Sequence, residues 1–339
     1  MVSCSGASVS LVIVSYNGRE YLEPCLDSLF HQTYPMEHVE VILIDNGSSD
    51  GTSHWVRKTY PQVRLVEMGR NLGFAKGCNE GARLSKGKYI GFLNQDTVVH
   101  QHWLEALVEC LEMGDERWVC HSCTLMPWTK EFQKRDLRGQ PTRVWFYDLG
   151  PTGSYRYMAA SPAQKDKPTL GLTGGAFLMR RSVLEQYGYV FEESFGAYCE
   201  DVDLGLRVWC SGHKVFLSSR SVVFHDQRAS AVPGKAELKK ALTASTNRLM
   251  AFWRNCSSAE FCLLLPLLMM DMVLKPLHLP LPRALRVALG MGMVPVALSS
   301  LVWALLRFPK LAAERARLSS FRRVPPFWVV RQLLFRDLG

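Results

Sequence analysis

Ser10-Leu-Val-Ile-Val-Ser15, running straight into Tyr16-Asn-Gly18, decides how the fold of this 339-residue chain is read. A short β-branched apolar run without polar alternation fits a strand buried on both faces, and such strands belong to sheets covered by helices. The polar triplet behind it is a loop delivered at the strand's carboxyl end. Working outward, Tyr21–Gln32 places Tyr21, Leu22, Cys25, Leu26 and Leu29 at helical spacing. Val39–Ile44 reads as a second buried strand. It leads into Asp45-Asn-Gly-Ser-Ser-Asp-Gly-Thr52, which is dense in turn and capping residues. A helix at Ser53–Tyr60, a strand at Val63–Glu67, a helix at Ala75–Leu84 and a strand at Lys88–Leu93 follow. The last strand enters Asn94-Gln-Asp96.

Strand alternating with helix at this rhythm predicts an α/β fold with a mostly parallel, Rossmann-like sheet covered on both faces. In such sheets ligands bind beyond the carboxyl ends of the strands. Asn17, Asp45 and Asp96 each stand just past such an end, so all three are expected at one edge. Asp115–Thr169 is less regular. It carries Pro127, Pro141, Pro151, Pro162 and Pro168 and reads as loops and short strands.

The formal net charge is +9. Part of it lies in a tail where Arg307, Lys310, Arg315, Arg317, Arg322, Arg323, Arg331 and Arg336 face only Glu314 and Asp337. Basic residues beside apolar runs suit an anionic lipid surface; nucleic acid would ask for exposed aromatics between them, so no nucleic-acid partner is expected. Of the ten cysteines only Cys120 and Cys123 form a CxxC pair, too little for a zinc site, and they read as strand or loop cysteines. Many unpaired thiols suit a reducing cytoplasm. Met1–Ala7 lacks a basic start and Ser8–Ser15 is a short apolar run, so no signal peptide is expected there.

Three places carry candidate chemistry. Asp96 ends a strand and offers a carboxylate to a hard cation, which takes one or two such groups plus a substrate's phosphate oxygens. The alternative is a cap for the helix starting near His102. Glu200-Asp-Val-Asp203 opens a helix. Its dipole favours acids there, yet three in four residues exceed what capping needs. Their repulsion asks for a metal, a bound hydroxyl or a nearby base. Between them Leu172-Thr-Gly-Gly-Ala-Phe-Leu178 sets paired glycines, Gly174 and Gly175, before an apolar strand, where a backbone can approach a ligand closely. His225 follows the strand-like Ser221–Phe224.

Taken in order, these pieces resemble family 2 glycosyltransferases of the GT-A fold, and among them rhamnosyltransferase-type members that elongate cell-surface polysaccharides. The matching segments are Val12-Ile-Val-Ser-Tyr-Asn17, Asp45-Asn-Gly-Ser-Ser-Asp50, Asn71-Leu-Gly-Phe-Ala-Lys-Gly-Cys-Asn79, Asn94-Gln-Asp96, Gly174-Gly-Ala176, Glu200-Asp-Val-Asp-Leu204 and His225. They span about Ser8 to Arg254. The resemblance implies a nucleotide-sugar donor (dTDP-, UDP- or GDP-linked), a lipid-linked or glycan acceptor, and Mg²⁺ or Mn²⁺. It implies that Ser15, Tyr16 and Asn17 line the nucleotide pocket, with Asp45 on the pyrimidine base. Asn71, Gly73, Asn94, Gln95, Gly174 and Gly175 would complete the donor site. Asp96 would hold the metal, assisted by His225. Asp201 would be the general base of an inverting displacement, with Glu200 shaping the acceptor site. Asn94 stands where many relatives carry the first aspartate of Asp-x-Asp, as in rhamnosyltransferase-like members. The Gln-x-x-Arg-Trp motif of processive synthases is missing, so single-residue transfer is expected. A catalytically silent nucleotide-sugar-binding or scaffold protein would tolerate loss of the late acids, and Glu200, Asp201 and Asp203 are all kept.

Residues 8–255 are therefore expected to form the catalytic domain and residues 256–339 a membrane-associated appendage. Phe261–Leu274 is interrupted by Pro266 and Asp271 and is too short to span a bilayer, which takes about 20 residues. Val287–Leu306 is uncharged and just long enough. A single crossing would put the basic tail opposite a cytoplasmic catalytic domain, against the positive-inside tendency. Interfacial helices on the cytoplasmic face, with the tail on anionic headgroups, are the expectation. A chain ending near Asn255 should then be more soluble than the full chain and still bind nucleotide.

Overall fold

A computed structural model describes residues 6–127, 144–150, 152–160, 166–226, 235–274 and 283–335. The opening run is strand β1 (Val9–Ser15), buried along its whole length. Val9, Leu11 and Ile13 enter one hydrophobic cluster, Val12 and Val14 another. A strand of period two must divide its side chains this way when helices cover both faces. β2 (Val39–Asp45), β3 (Arg64–Glu67) and β4 (Tyr89–Asn94) join it in parallel, in the order β3-β2-β1-β4. Helices α1 (Arg19–Phe30), α2 (Thr52–Thr59) and α3 (Phe74–Leu84) make the crossovers. Each lies within a residue or two of its expected place. α3 rests directly on β1: a Cβ at Gly77 or Gly81 would come within 2.8 Å of Val14 or 2.2 Å of Val12.

In the second half of the sheet two strands of the main order run backwards, one in its interior and one at its edge. β10 (Ala176–Arg180) runs antiparallel between β4 and β6 (Trp118–Pro127). β11 (Lys214–His225) pairs in parallel with β6, and β5 (Thr97–Val99) closes that side antiparallel to β11. A reversed β10 begins at the edge where β1, β2 and β4 end, so Gly174 and Gly175 arrive there. β11 ends at the same edge and brings His225.

One expectation is corrected here, and one alternative falls away. Asp115–Thr169 holds the ten-residue β6 in the sheet interior. β7 (Val144–Leu149) pairs with β6, β8 (Tyr155–Ala160) with β7, and the short β9 (Lys167–Pro168) with β11. The polar run Cys120-His-Ser-Cys-Thr124 masks β6 in sequence, since partners distant along the chain supply its ladder. Cys120 and Cys123 lie on this strand. Asp96 is no helix cap either. β5 stands between it and α4 (Trp103–Met113), which starts after His102.

α5 (Arg181–Tyr187), α6 (Glu200–Cys210), α7 (Lys235–Asn255), α8 (Ser258–Leu274), α9 (Arg283–Phe321) and α10 (Trp328–Phe335) complete the described elements. One cluster runs from Val12 and Phe92 through Leu206 and Phe252 to Leu268, Ala304, Leu311 and Leu333. Packing is thus continuous across residue 255. Asp271, the polar break in the first apolar run, accepts from Arg248 at 2.7 Å, Thr152 at 2.5 Å and the Ser154 hydroxyl. Trp253 stacks on Phe308 with ring centroids 4.3 Å apart. The basic tail is only partly free for a surface. Arg322 pairs with fully buried Glu260 at 2.8 Å, Arg317 with Glu314 at 2.7 Å, and Arg315 donates to the Cys256 carbonyl at 3.2 Å. A carboxylate as deep as Glu260 needs such a partner. Lys310, Arg323 and Arg331 remain exposed. On the outer side of α9, Val294, Leu298, Val302, Leu305 and Leu306 are exposed, and Met293–Phe321 is long and apolar enough to cross a membrane by length and composition.

Candidate active site

The loops past β1 and β2 are laced into one surface. Gln95 Oε1 accepts from Ser15 Oγ at 2.8 Å and from the Tyr16 N–H at 3.1 Å. Asn17 takes a left-handed φ of 47°, and its Oδ1 accepts from the Ser49 N–H at 2.8 Å. Its own N–H donates to Ser48 Oγ at 2.9 Å. Asp50 accepts from the N–H groups of Arg19 and Thr52 at 3.2 and 3.1 Å. The ring of Tyr16 is left 46% exposed above this floor. Asp45 is buried, accepting from the Ser48 N–H at 3.0 Å and from the Ser53 hydroxyl; each oxygen keeps a further lone pair.

Asn46 lies inside the Asp45-Asn-Gly segment, where nothing in the local sequence sets it apart. It is buried, accepts from the Leu72 N–H at 2.9 Å, and donates to the Gly73 carbonyl at 3.1 Å and to Asn71 Oδ1 at 3.2 Å. Asn71 Oδ1 also receives the Gly73 N–H at 2.9 Å. Gly73 itself has φ 88°, a backbone conformation glycine adopts without strain. Asn71 and Gly73 thus hold the loop that enters α3.

At the ends of β4 and β11, Asp96 Oδ1 lies 3.2 Å from His225 Nε2, and both side chains are largely buried. Among the described residues that nitrogen makes no hydrogen bond, and neither does the buried Asn94 Oδ1. The Asp226 N–H donates to the Asp96 carbonyl at 2.9 Å, which ties the two strand ends together. Cis ligands of an octahedral cation at about 2.1 Å lie about 3 Å apart, so the spacing of Asp96 and His225 fits one. Among the described residues no group of three or more His, Cys, Asp or Glu converges. A cation here would keep positions for phosphate oxygens and water, as Mg²⁺ commonly does.

The acids at the start of α6 divide by environment. Asp201 Oδ2 accepts from the Gly174 N–H at 3.1 Å and its Oδ1 from the Val202 N–H at 2.8 Å. Glu200 is buried, and its carboxyl is pushed up to about 8, first by burial and then by the Asp201 charge. Its Oε2 has no partner among the described residues. Asp203 is fully buried against Arg254 at 2.8 Å and Arg207 at 3.6 Å, and accepts from Asn255 at 2.8 Å. The nearby base that the acid cluster asked for is therefore found for Asp203. Asp203 is thereby committed to the core.

The glycine pair separates the two poles. A Cβ on Gly174 would lie 2.9 Å from Asp201 Oδ2; one on Gly175 would lie 3.3 Å from Asn94 Nδ2 and 3.6 Å from the His225 ring. Adjacent backbone units thus touch the acid pole on one side and the Asn94–His225 pole on the other. All the expected site residues lie along this one sheet edge or the loops leaving it.

The sequence signature of Glycosyl transferase family 2 matches residues 10–188. N-acetylglucosaminyl-diphospho-decaprenol L-rhamnosyltransferase of Mycobacterium tuberculosis is 29% identical over 271 residues, covering 72% of this chain and 86% of that one. Glycosyltransferase AglE of Haloferax volcanii is 36% identical over 100 residues, which are 29% of this chain. The chain spans about a third, 33%, of that relative's length. Among solved structures, the mannosyltransferase PcManGT of Pyrobaculum calidifontis in complex with GDP-Man and Mn²⁺ superposes with a TM-score of 0.56 at 20% identity, over 88% of this chain and 87% of that one. The likeness is one of fold, and the fold is GT-A.

Proposed function

Because this chain belongs to glycosyl transferase family 2, we propose that it moves a sugar from a nucleotide-diphosphate donor to a lipid-linked or glycan acceptor with inversion. The observation that carries this reading is the two-pole edge. An Asp96–His225 pair suited to a cation and an Asp201 carboxylate suited to a proton lie on either side of Gly174-Gly175. The nucleotide sits over Ser15, Tyr16 and Asn17 with Asp45 beneath the base, while Asn71, Gly73 and Gln95 hold the loops in shape. Asp96 and His225 are the residues that would hold Mg²⁺ or Mn²⁺, which supplies charge neutralisation for the departing diphosphate. The Mn²⁺ in the mannosyltransferase complex supports that choice.

Asp201 accepts the proton of the attacking hydroxyl. Its Oδ2 is already oriented by the Gly174 N–H, and a positioned base contributes about 10²–10⁴-fold. Glu200 stays neutral near pH 7 and has a free oxygen to offer the acceptor. The M. tuberculosis relative's name supports rhamnose as donor sugar and a polyprenyl-linked acceptor. A bilayer acceptor and a soluble donor would suit a protein on the cytoplasmic face, peripheral or monotopic, and the exposed apolar side of α9 supports contact with lipid.

The test is donor turnover by the full-length protein against dTDP-rhamnose, UDP-GlcNAc and GDP-mannose, with Mn²⁺ and in chelator. Metal-dependent release of one nucleotide diphosphate is expected. Asp201→Asn should lose turnover by about 10²–10⁴-fold while its nucleotide affinity stays within about twofold. Lost affinity with intact turnover would overturn the assignment of the base.

A further inference from the structure

The turn that presents Glu200 and Asp201 is held in a conformation its own residues disfavour. Tyr198 has φ 72° and Cys199 φ 61°, two consecutive non-glycine residues in the left-handed region. Such a turn persists only where its surroundings hold it. α7 lies across it. Asn247 is fully buried, and its Nδ2 is 2.9 Å from each of the carbonyls of Phe195, Ala197 and Tyr198. The Cys199 thiol donates to the Ala244 carbonyl at 3.3 Å.

Two helical turns beyond Asn247, the buried Arg254 guanidinium gathers the surrounding acids. It lies 2.8 Å from Asp203, 3.1 Å from Glu192 and 3.8 Å from Glu314 of α9, and donates to Tyr189 Oη at 2.6 Å. Asp203 stands one turn after Glu200 on α6. The clamp therefore grips the strained turn from Asn247 and the first turn of α6 from Arg254.

We propose that Asn247 and Arg254 of α7 are positioning residues for sugar transfer, holding the Tyr198–Cys199 turn and the start of α6 so that Asp201 keeps its place against Gly174. The inference rests on the reading of Asp201 as the base. Lysine at position 254 keeps the charge but loses the planar fork that spans Asp203, Glu192 and Tyr189. Aspartate at 247 keeps the shape and removes the donors. A misplacement of about 1 Å at a reacting group costs roughly 10²-fold in rate, whereas the donor loops lie on other elements.

The experiment compares Asn247→Asp, Arg254→Lys, Glu314→Gln and Asp201→Asn in the full-length protein. It uses the most readily hydrolysed of dTDP-rhamnose, UDP-GlcNAc and GDP-mannose with Mn²⁺. Asn247→Asp and Arg254→Lys should lower kcat by roughly 10- to 100-fold while the donor KM stays within about twofold. Glu314 is partly exposed, so Glu314→Gln folds even if the buried variants do not, and it should lower kcat about threefold. Wild-type kcat in every folded clamp variant, with only a lower melting temperature, overturns the clamp. So does a parallel loss of kcat and donor affinity. If Asp201→Asn keeps full kcat, the base assignment falls and the clamp with it. An inactive Asp201→Asn beside fully active clamp variants removes the clamp alone.

Discussion

Glu200 and Asp201 are neighbours in the chain with opposite circumstances. Asp201 accepts from two backbone N–H groups, while Glu200 is buried with its carboxyl pushed up to about 8, so on the proposed reading one pair supplies both a base and a hydrogen-bond donor. The shift has a stability consequence of fixed sign. The folded protein keeps the Glu200 proton to about 8, whereas the unfolded chain releases it near the ordinary 4.5. Between those values the folded state binds the extra proton, so stability falls as pH rises through the window and the penalty is absent below it. Glu200→Gln removes the ionising group. Melting curves should show it matching the wild type below pH 4.5 and more stable by several degrees above pH 8. A wild-type curve flat across that window would remove the buried-acid assignment. The acid cluster was legible in the sequence as a cluster. Which acid is structural was not, because Arg254 reaches Asp203 from far along the chain.

Strand β10 shows what an element contributes that its residues do not announce. Run parallel, it would carry Gly174 and Gly175 to the far edge of the sheet; run antiparallel to β4, it delivers them to the site. The apolar strand after the glycines was readable, but its direction depends on pairing with β4 and β6 across long separations. Gly174→Ala tests the contact. The new methyl would lie 2.9 Å from Asp201 Cβ and Oδ2, closer than side chains tolerate, so the carboxylate must shift. Turnover should fall about 10²-fold with nucleotide affinity unchanged by titration calorimetry. Undiminished turnover would mean that Asp201 does not need its present place.

The C-terminal helices bind the whole molecule together. α9 buries Val296, Ala297, Ala304, Phe308 and Leu311 against the rest of the protein and turns Leu298, Val302 and Leu306 outward at four-residue spacing. We keep the division near residue 255 as a proposal about roles, with catalysis before it and membrane contact after it. The expectation of a soluble shortened chain changes, however. Ending at Asn255 would expose the α7 side chains Met250 and Phe252 and leave Arg254 without Glu314. The surface is better tested intact. Each methylene buried in lipid contributes about 0.8 kcal/mol, so the triple change Leu298→Glu, Val302→Glu and Leu306→Glu should abolish flotation with anionic liposomes. Its melting temperature should stay near wild type, since these positions face outward. If the unmodified protein sediments without the liposomes, the apolar side of α9 serves another contact.

By itself the sequence determined the strand–helix rhythm through β4, the loops bearing Asn17, Asp45 and Asp96, and the acid cluster on α6. These are local patterns, set by side-chain period and turn chemistry over a few residues. Only the tertiary structure decided that β6 is a strand and that β10 runs backwards. It alone set His225 3.2 Å from Asp96, let Arg254 claim Asp203, and joined Arg315, Arg317 and Arg322 of the tail to the Cys256 carbonyl, the Tyr187 carbonyl and Glu260. Each of those outcomes depends on partners distant in sequence. Ladder pairing and buried-charge compensation are properties of the assembled core, and no local window of residues contains them.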